Sequence, residues 1–298
     1  MKIYDCFMYF DEDIVLDIRL NLLNEYVDNF VIIESIYNHK GEKRNPQFDI
    51  NKFSKFKEKI IYILKDQIPK GIERIEKSDS EKEVYRKSIL NALKRENLQR
   101  NNIAEGIKNA DPNDWIIISD LDEIPNLENL NFEKINEKII IFEQDMMYYK
   151  FNLKLENFTW IGSKACKYKY LKSPQWLRDI KGRKFNWWRI DTLFSKRKYQ
   201  NKRFIKKGGW HFSYLKTPKE IEKKLKSYLH HIDYDINPLG VQAIEEIVKN
   251  KKAIYDLKVD QKENKFEAKN KLVRIQNSQL PKYILNNIKK YNDWIENE

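Results

Sequence analysis

The stretch Trp115-Ile116-Ile117-Ile118-Ser119-Asp120-Leu121-Asp122-Glu123-Ile124-Pro125 sets four apolar residues against a cluster of acids. Carboxylates in this pattern do chemistry through a hard cation. Asp120 and Asp122 share a face on an extended chain, and in a tight turn both can converge on one ion. Oxygen ligands suit Mg²⁺ or Mn²⁺, which commonly arrive bridging the phosphates of a substrate. The apolar run reads as a strand buried on both faces. The acids then stand at its C-terminal end, the ligand side of an open α/β sheet. Pro125 is expected to stop the segment from continuing as a ladder-bonded strand. A buried strand followed by an acidic turn of no chemical role has the same pattern; the strand before the D-x-D and the proline after it favour a metal site.

The second stretch is Gly208-Gly209-Trp210-His211-Phe212-Ser213-Tyr214. Paired glycines permit a sharp turn and close backbone approach. His211 is one of four histidines, with His230 and His231 as neighbouring candidates; taken alone, His211 fits a core histidine with satisfied hydrogen bonds better than a ligand. Glu34 closes the apolar run 30–33. It can accept hydrogen bonds from a sugar or base, or cap the next turn.

The elements that must position these groups read as strands at 3–10, 30–33, 60–64, 115–118 and 139–142. Helices are expected at 14–26 and 53–57, and a long one at roughly 80–109. Strand, helix, strand, repeated, predicts an α/β chain with a mostly parallel central sheet flanked by helices. Nothing splits the first 165 residues. A Tyr- and Met-rich run, 146–151, precedes a short aromatic segment, 158–162, where Gly162 allows a ligand close to the backbone. Residues 174–189 carry Trp176, Trp187 and Trp188 among basic residues. They read as a core edge with a solvated basic face, or as a platform on which sugar rings stack. Thr217, Pro218 and Glu220 form a capping box opening a helix to about 229; further helices are expected at 238–250 and 281–296.

Hydrophobic residues make up 41% of the 298 and aromatics 13%, which excludes a disordered chain. The net charge of +12 reads as a lysine-, asparagine- and isoleucine-rich composition rather than a dedicated polyanion site. Cys6 and Cys166 are expected as buried thiols, with no disulfide framework. No secretory signal and no apolar run near the ~20 residues needed to cross a bilayer are found, so a soluble, cytoplasmic protein is expected.

With both stretches in hand, the chain resembles glycosyltransferase family 17, which includes the β-1,4-mannosyl-glycoprotein β-1,4-N-acetylglucosaminyltransferases. The resemblance rests on Tyr4-Asp5-Cys6-Phe7, Asp17-Ile18-Arg19-Leu20, Val27 to Ser35, Gly41, Phe48 and Leu98-Gln99-Arg100-Asn101. It continues through Asp120 to Pro125, Gly209 to Tyr214 and the tail Leu280 to Leu285.

It implies a GT-A-type fold, with a catalytic core at 1–215 (donor half 1–125, acceptor half 126–215) and a helical segment at 216–298 packed on it. It also implies a UDP-sugar donor such as UDP-GlcNAc, a glycan acceptor and inversion at the anomeric carbon. Asp120 and Asp122 match the family's D-x-D, which holds Mn²⁺ or Mg²⁺ against the donor diphosphate. His211 looks like the C-terminal metal ligand of many GT-A enzymes. Arg100, Glu34 and Gly162 are expected near the donor. Asp179 lies between Gly162 and His211, where inverting GT-A enzymes place the general base; Asp145 and Asp191 compete for that role.

The chain is expected to lack the animal enzymes' membrane anchor and stem, and it departs from the pattern in several short loops and in residues 176–189. Two other readings use the same residues. One is a basic nucleic-acid-binding protein; the other is a metal-dependent phosphohydrolase or nucleotidyltransferase. The buried strand before the D-x-D and the Gly-Trp-His segment favour the transferase, with no nucleic-acid partner.

Overall fold

Apolar runs separated by amphipathic ones must bury both faces of the runs, and the computed structural model does this with helices over a sheet. It describes residues 1–186, 188, 189, 191–255, 266 and 268–297. The first half contains β1 (Ile3–Tyr9), α1 (Asp13–Leu23), β2 (Asn29–Ser35), β3 (Ile60–Lys65), α2 (Glu81–Asn101), α3 (Ile103–Gly106) and β4 (Trp115–Asp120). There follow β5 (Glu123–Pro125), β6 (Ile139–Tyr148), β7 (Leu153–Lys167), α4 (Pro174–Asp179), α5 (Asp191–Phe194), β8 (Lys202–Ile205) and β9 (Gly209–Ser213). The C-terminal part holds α6 (Pro218–Ser227), α7 (His231–Ile236), α8 (Val241–Lys249), β10 (Leu272–Arg274) and α9 (Lys282–Asn286).

The strands form one sheet in the order β3-β2-β1-β4-β7-β6-β9-β5, with β10 on β7 and β8 on β6. From β3 to β4 every pairing is parallel. β7 then runs antiparallel between β4 and β6. The first half of β6 pairs in parallel with β8 and its second half with β9. The α/β expectation holds, with the parallel order concentrated in the first half. Phe7, Phe30, Ile32 and Ile117 face one core, and Cys6, Val31, Ile33 and Ile118 face the other. Strands buried on both faces read as continuous apolar runs for this reason. Cys6 and Cys166 are buried free thiols.

Several elements differ from their sequence reading. The chain does not leave the ladder at the acids: it turns at Leu121-Asp122 and resumes as β5, whose last residue is Pro125, opposite Gly209. The runs 139–142 and 146–151 are largely one strand, β6, carried past irregular registers. The segment 158–162 is likewise the middle of the long β7. The long helix stops at Asn101 rather than 109.

The last expected helix is broken. Asn287 turns its side-chain amide onto the Tyr283 carbonyl at 2.8 Å, and its own N–H reaches Ile284 instead. An asparagine that takes the carbonyl its N–H would need ends a helix. β8 escapes a pattern search because it is short and opens on Lys202-Arg203.

Candidate active site

β4 delivers Asp120 to the C-terminal edge of the parallel strands, beside Met8 of β1. β5 then pairs with β9 so that Glu123 lies opposite His211, and the Phe212 N–H donates to the Asp122 carbonyl at 2.8 Å. This register is what sets His211 beside Asp122. It requires Gly209, whose φ is +135° and where a Cβ would sit 2.1 Å from the Ile124 carbonyl oxygen. Only glycine adopts that backbone and leaves that space.

The turn between β4 and β5 is held from below by Arg19 of α1. Its fully buried guanidinium pairs with Asp5 of β1 at 2.6 and 2.7 Å. Its Nη1 donates to the carbonyls of Asp120 and Leu121 at 3.0 Å and of Glu123 at 2.8 Å. Three carbonyls of one turn thus converge on one cation.

The two aspartates have separate partners. Asp120 accepts from Arg100 at 2.9 Å and from Arg178 at 2.8 Å. Burial raises its pKa, but Arg178 and then Arg100 outweigh burial and bring it to about 2. Asp122 lies 3.4 Å from His211 Nε2 and 3.3 Å from Lys224 Nζ of α6. Burial pushes it up, yet Lys224 and His211 hold it well below the ordinary carboxylate range.

Lys224 also lies 3.3 Å from Glu12; burial lowers its pKa, and Asp122 and Glu12 more than reverse that. Arg178 reaches the buried Glu123 with both nitrogens, at 2.6 and 2.7 Å, and the Gly162 carbonyl at 2.6 Å. Glu123 also accepts from Trp160 at 2.6 Å, and the Trp160 ring lies against His211 at 4.8 Å.

These groups floor a cleft of about 590 Å³, within the usual size of a small-ligand site. Tyr9, Phe10, Ser35, His39 and Gln99 line it from the ends of β1, β2 and α2. Tyr148, Trp160, Tyr214, Tyr228, His230 and Tyr255 line it from the second half of the chain. Among the described residues, four acids face it: Glu12, Glu96, Asp120 and Asp122.

Asp120, Asp122, His211 and Arg100 therefore come together as one cluster. The other expected residues do not join it. Glu34 is buried and accepts from Arg44, the Gln47 and Phe48 N–H groups and Tyr62 at 2.7–3.1 Å, capping the loop at 44–48. Gly162 makes room for protein rather than ligand, since a Cβ there would lie 2.4 Å from Gln144 Oε1 and 2.6 Å from Glu123. Asp179 is joined to Gln175 and Arg197, each at 2.9 Å, away from the cleft wall.

Of the alternative bases, Asp145 is paired with Lys154 and Asp191 with Arg189 and Lys198. Trp176 packs on Tyr199 and donates to the Lys196 carbonyl. Trp188 is exposed, Trp187 lies outside the described residues, and the indole in the cleft is Trp160.

Among the described residues no three His, Cys, Asp or Glu side chains form a ready-made metal cage. Asp120 is turned onto its arginines. Asp122 and His211 still suit a divalent ion: their 3.4 Å separation is close to the ~3 Å between adjacent ligands of an octahedral ion with ~2.1 Å bonds. Such ions typically take one or two protein ligands and complete their shell with substrate phosphates and water.

A model of glycosyltransferase family 17 matches residues 1–295. The chain belongs to glycosyltransferase family 17. It is 26% identical over 231 residues to the human β-1,4-mannosyl-glycoprotein 4-β-N-acetylglucosaminyltransferase, covering 72% of this chain and 40% of the relative. The rat enzyme of the same description matches with the same identity and coverage. The chain thus spans 40% of the length of these relatives. No solved structure matches it.

In this family 17 chain the sequence reading missed Arg19, Lys224, Arg178, Glu123 and Trp160 as members of the site. One of them, Arg19, leaves a signal through its partner Asp5. Asp5 interrupts the apolar β1 and Arg19 sits between the buried Ile18 and Leu20, and a charge inside an apolar run needs a partner. Lys224 and Arg178 leave none, because each is one basic residue among many.

Proposed function

We propose that this chain is an inverting glycosyltransferase with a GT-A-type catalytic core at 1–215, moving GlcNAc from UDP-GlcNAc onto a glycan hydroxyl. One observation carries the reading: a D-x-D turn at the C-terminal end of a parallel strand has its second carboxylate beside a histidine and its first held by two arginines. Such a turn suits a nucleotide diphosphate.

Asp122 and His211 would hold Mn²⁺ or Mg²⁺, which neutralises charge on the departing diphosphate. Lys224, contributed by the helical segment 216–298, adds a second positive charge to the same edge of the cleft. Asp120, kept ionised by Arg178 and Arg100, accepts from a hydroxyl of the donor. Trp160, Tyr228 and Tyr255 offer flat apolar faces to sugar rings.

The general base must come within hydrogen-bond reach of the attacking hydroxyl. Asp179 held that role in the sequence reading, but its carboxylate is committed to Gln175 and Arg197. Of the four acids that face the cleft, Asp120 is held by its arginines, Asp122 faces His211 and Lys224, and Glu96 pairs with Arg100 at 2.7 Å. Glu12 has only Lys224 at 3.3 Å and Lys216 at 4.0 Å as cationic partners among the described residues, so we assign the proton to Glu12. In a transfer assay, Glu12→Gln should lose at least 100-fold in kcat, the lower end of general-base effects being about 10², and Asp179→Asn should keep most of the activity. The opposite outcome returns the role to Asp179.

A thermal-shift screen of nucleotide sugars with and without Mn²⁺ tests the donor, since a bound ligand raises apparent stability by mass action. UDP-GlcNAc with Mn²⁺ should give the largest shift, and Asp122→Ala should remove its metal dependence. Turnover of the nucleotide at full rate without any acceptor would instead indicate a hydrolase.

A further inference from the structure

The basic excess, read from composition as a general bias, is concentrated in one place. Residues 181–207 contain eleven Lys and Arg and a single acid, Asp191, so they hold ten of the chain's twelve excess positive charges. Nine of the eleven are exposed.

The segment is knit together. The Lys181 N–H donates to the Arg197 carbonyl at 2.9 Å. Lys202 donates to the carbonyls of Lys181 and Arg183 at 2.8 and 2.6 Å. Lys184 lies over the Phe204 ring at 5.7 Å. Burial, with Arg183 alongside, brings Lys202 down to about 8.

Two large aromatic side chains stand out of this basic field, Phe194 at 85% exposure and Trp188 at 60%. Phe194 buries little of its ring in the fold. Aromatic residues beside Lys and Arg are what an anionic bilayer surface recognises: the rings enter the headgroup region and the cations meet lipid phosphates. The segment is also fixed to the outer side of α4, where Trp176 donates to Lys196 and Arg197 pairs with Asp179. That helix carries Arg178 into the cleft.

We infer that residues 181–207 dock this protein onto an anionic membrane surface, holding the cleft near acceptors that reside there. The inference rests on charge and exposure, and it stands whichever donor the cleft accepts. A nucleic acid would find the same cations, but a phenylalanine exposed to this degree amid them gains most from a lipid headgroup layer.

The test is cosedimentation of the whole chain with phosphatidylcholine vesicles, with and without phosphatidylglycerol, in the absence of donor. Binding should require phosphatidylglycerol and weaken with salt. The triple variant Lys181→Gln/Lys184→Gln/Lys196→Gln should lose about 100-fold in vesicle affinity, at roughly fivefold per surface cation. Phe194→Ser should weaken vesicle binding and leave the salt dependence intact. All variants should keep wild-type thermal stability and basal donor turnover. Equal binding to both vesicle types, wild-type affinity in the triple variant, or tighter binding to a single-stranded oligonucleotide than to the anionic vesicles would each overturn the inference.

Discussion

Replacing Arg19 by methionine tests the link between the core and the site. The methionine keeps most of the aliphatic volume and removes the guanidinium. Asp5 would then sit fully buried without its cation. Removing one partner of a buried ion pair costs about 3–5 kcal/mol. The carbonyls of Asp120, Leu121 and Glu123 lose their shared donor as well, so the upper end of that range applies.

At about 2–4 °C per kcal/mol for a chain of this size, the midpoint should fall by on the order of 10 °C. The double variant Asp5→Asn/Arg19→Met removes the stranded charge and should recover most of the midpoint. It leaves the turn unclamped, so transfer activity should stay well below wild type in both variants. Urea unfolding gives the stability, and transfer kinetics on the folded fraction give the activity. A loss below about 1 kcal/mol in the single variant would remove the clamp as a stability element, and transfer at the wild-type rate in the double variant would remove it as a site element.

Gly162→Ala should cost about 1–3 kcal/mol by overpacking, because its Cβ meets Gln144, Glu123 and Trp160 at 2.4–2.7 Å. kcat should fall with it as Glu123 and Arg178 shift; unchanged urea midpoints would show that the contact relaxes freely. Lys164 should give stability a pH slope. Burial, with Arg178 nearby, brings it down to about 7, while a lysine of the unfolded chain titrates near ~10.4. Between those values the unfolded state binds more protons, so stability should rise with pH by up to ~1.4 kcal/mol per unit, and the slope should vanish below about 7. Lys164→Met should remove that increment; identical slopes in the two proteins from pH 7 to 9 would count against it.

How much of this was legible in the sequence varies by residue. The strands β1, β2 and β4 announce themselves because both faces are covered and their central residues are mostly apolar. The capping box at Thr217 formed as its residue types require. Glu34 was ambiguous between ligand and cap, and the loop at 44–48 together with Tyr62 of β3 takes its carboxylate oxygens. Asp179 looked placed for catalysis by its order in the chain, but order does not say which way a side chain on a six-residue helix points.

The sequence by itself determined the alternation of buried strands and helices, the acidic turn at the mouth of β4, the glycine pair before His211 and the family. Those features are local, or depend on residue type at fixed separations. Only the tertiary structure decided that Asp122 meets His211 and Lys224 while Asp120 meets Arg100 and Arg178. These pairings join residues far apart in the chain through sheet register and helix docking. Lysine and arginine are common enough here that their types alone point nowhere, and only a folded backbone selects the few that reach a carboxylate.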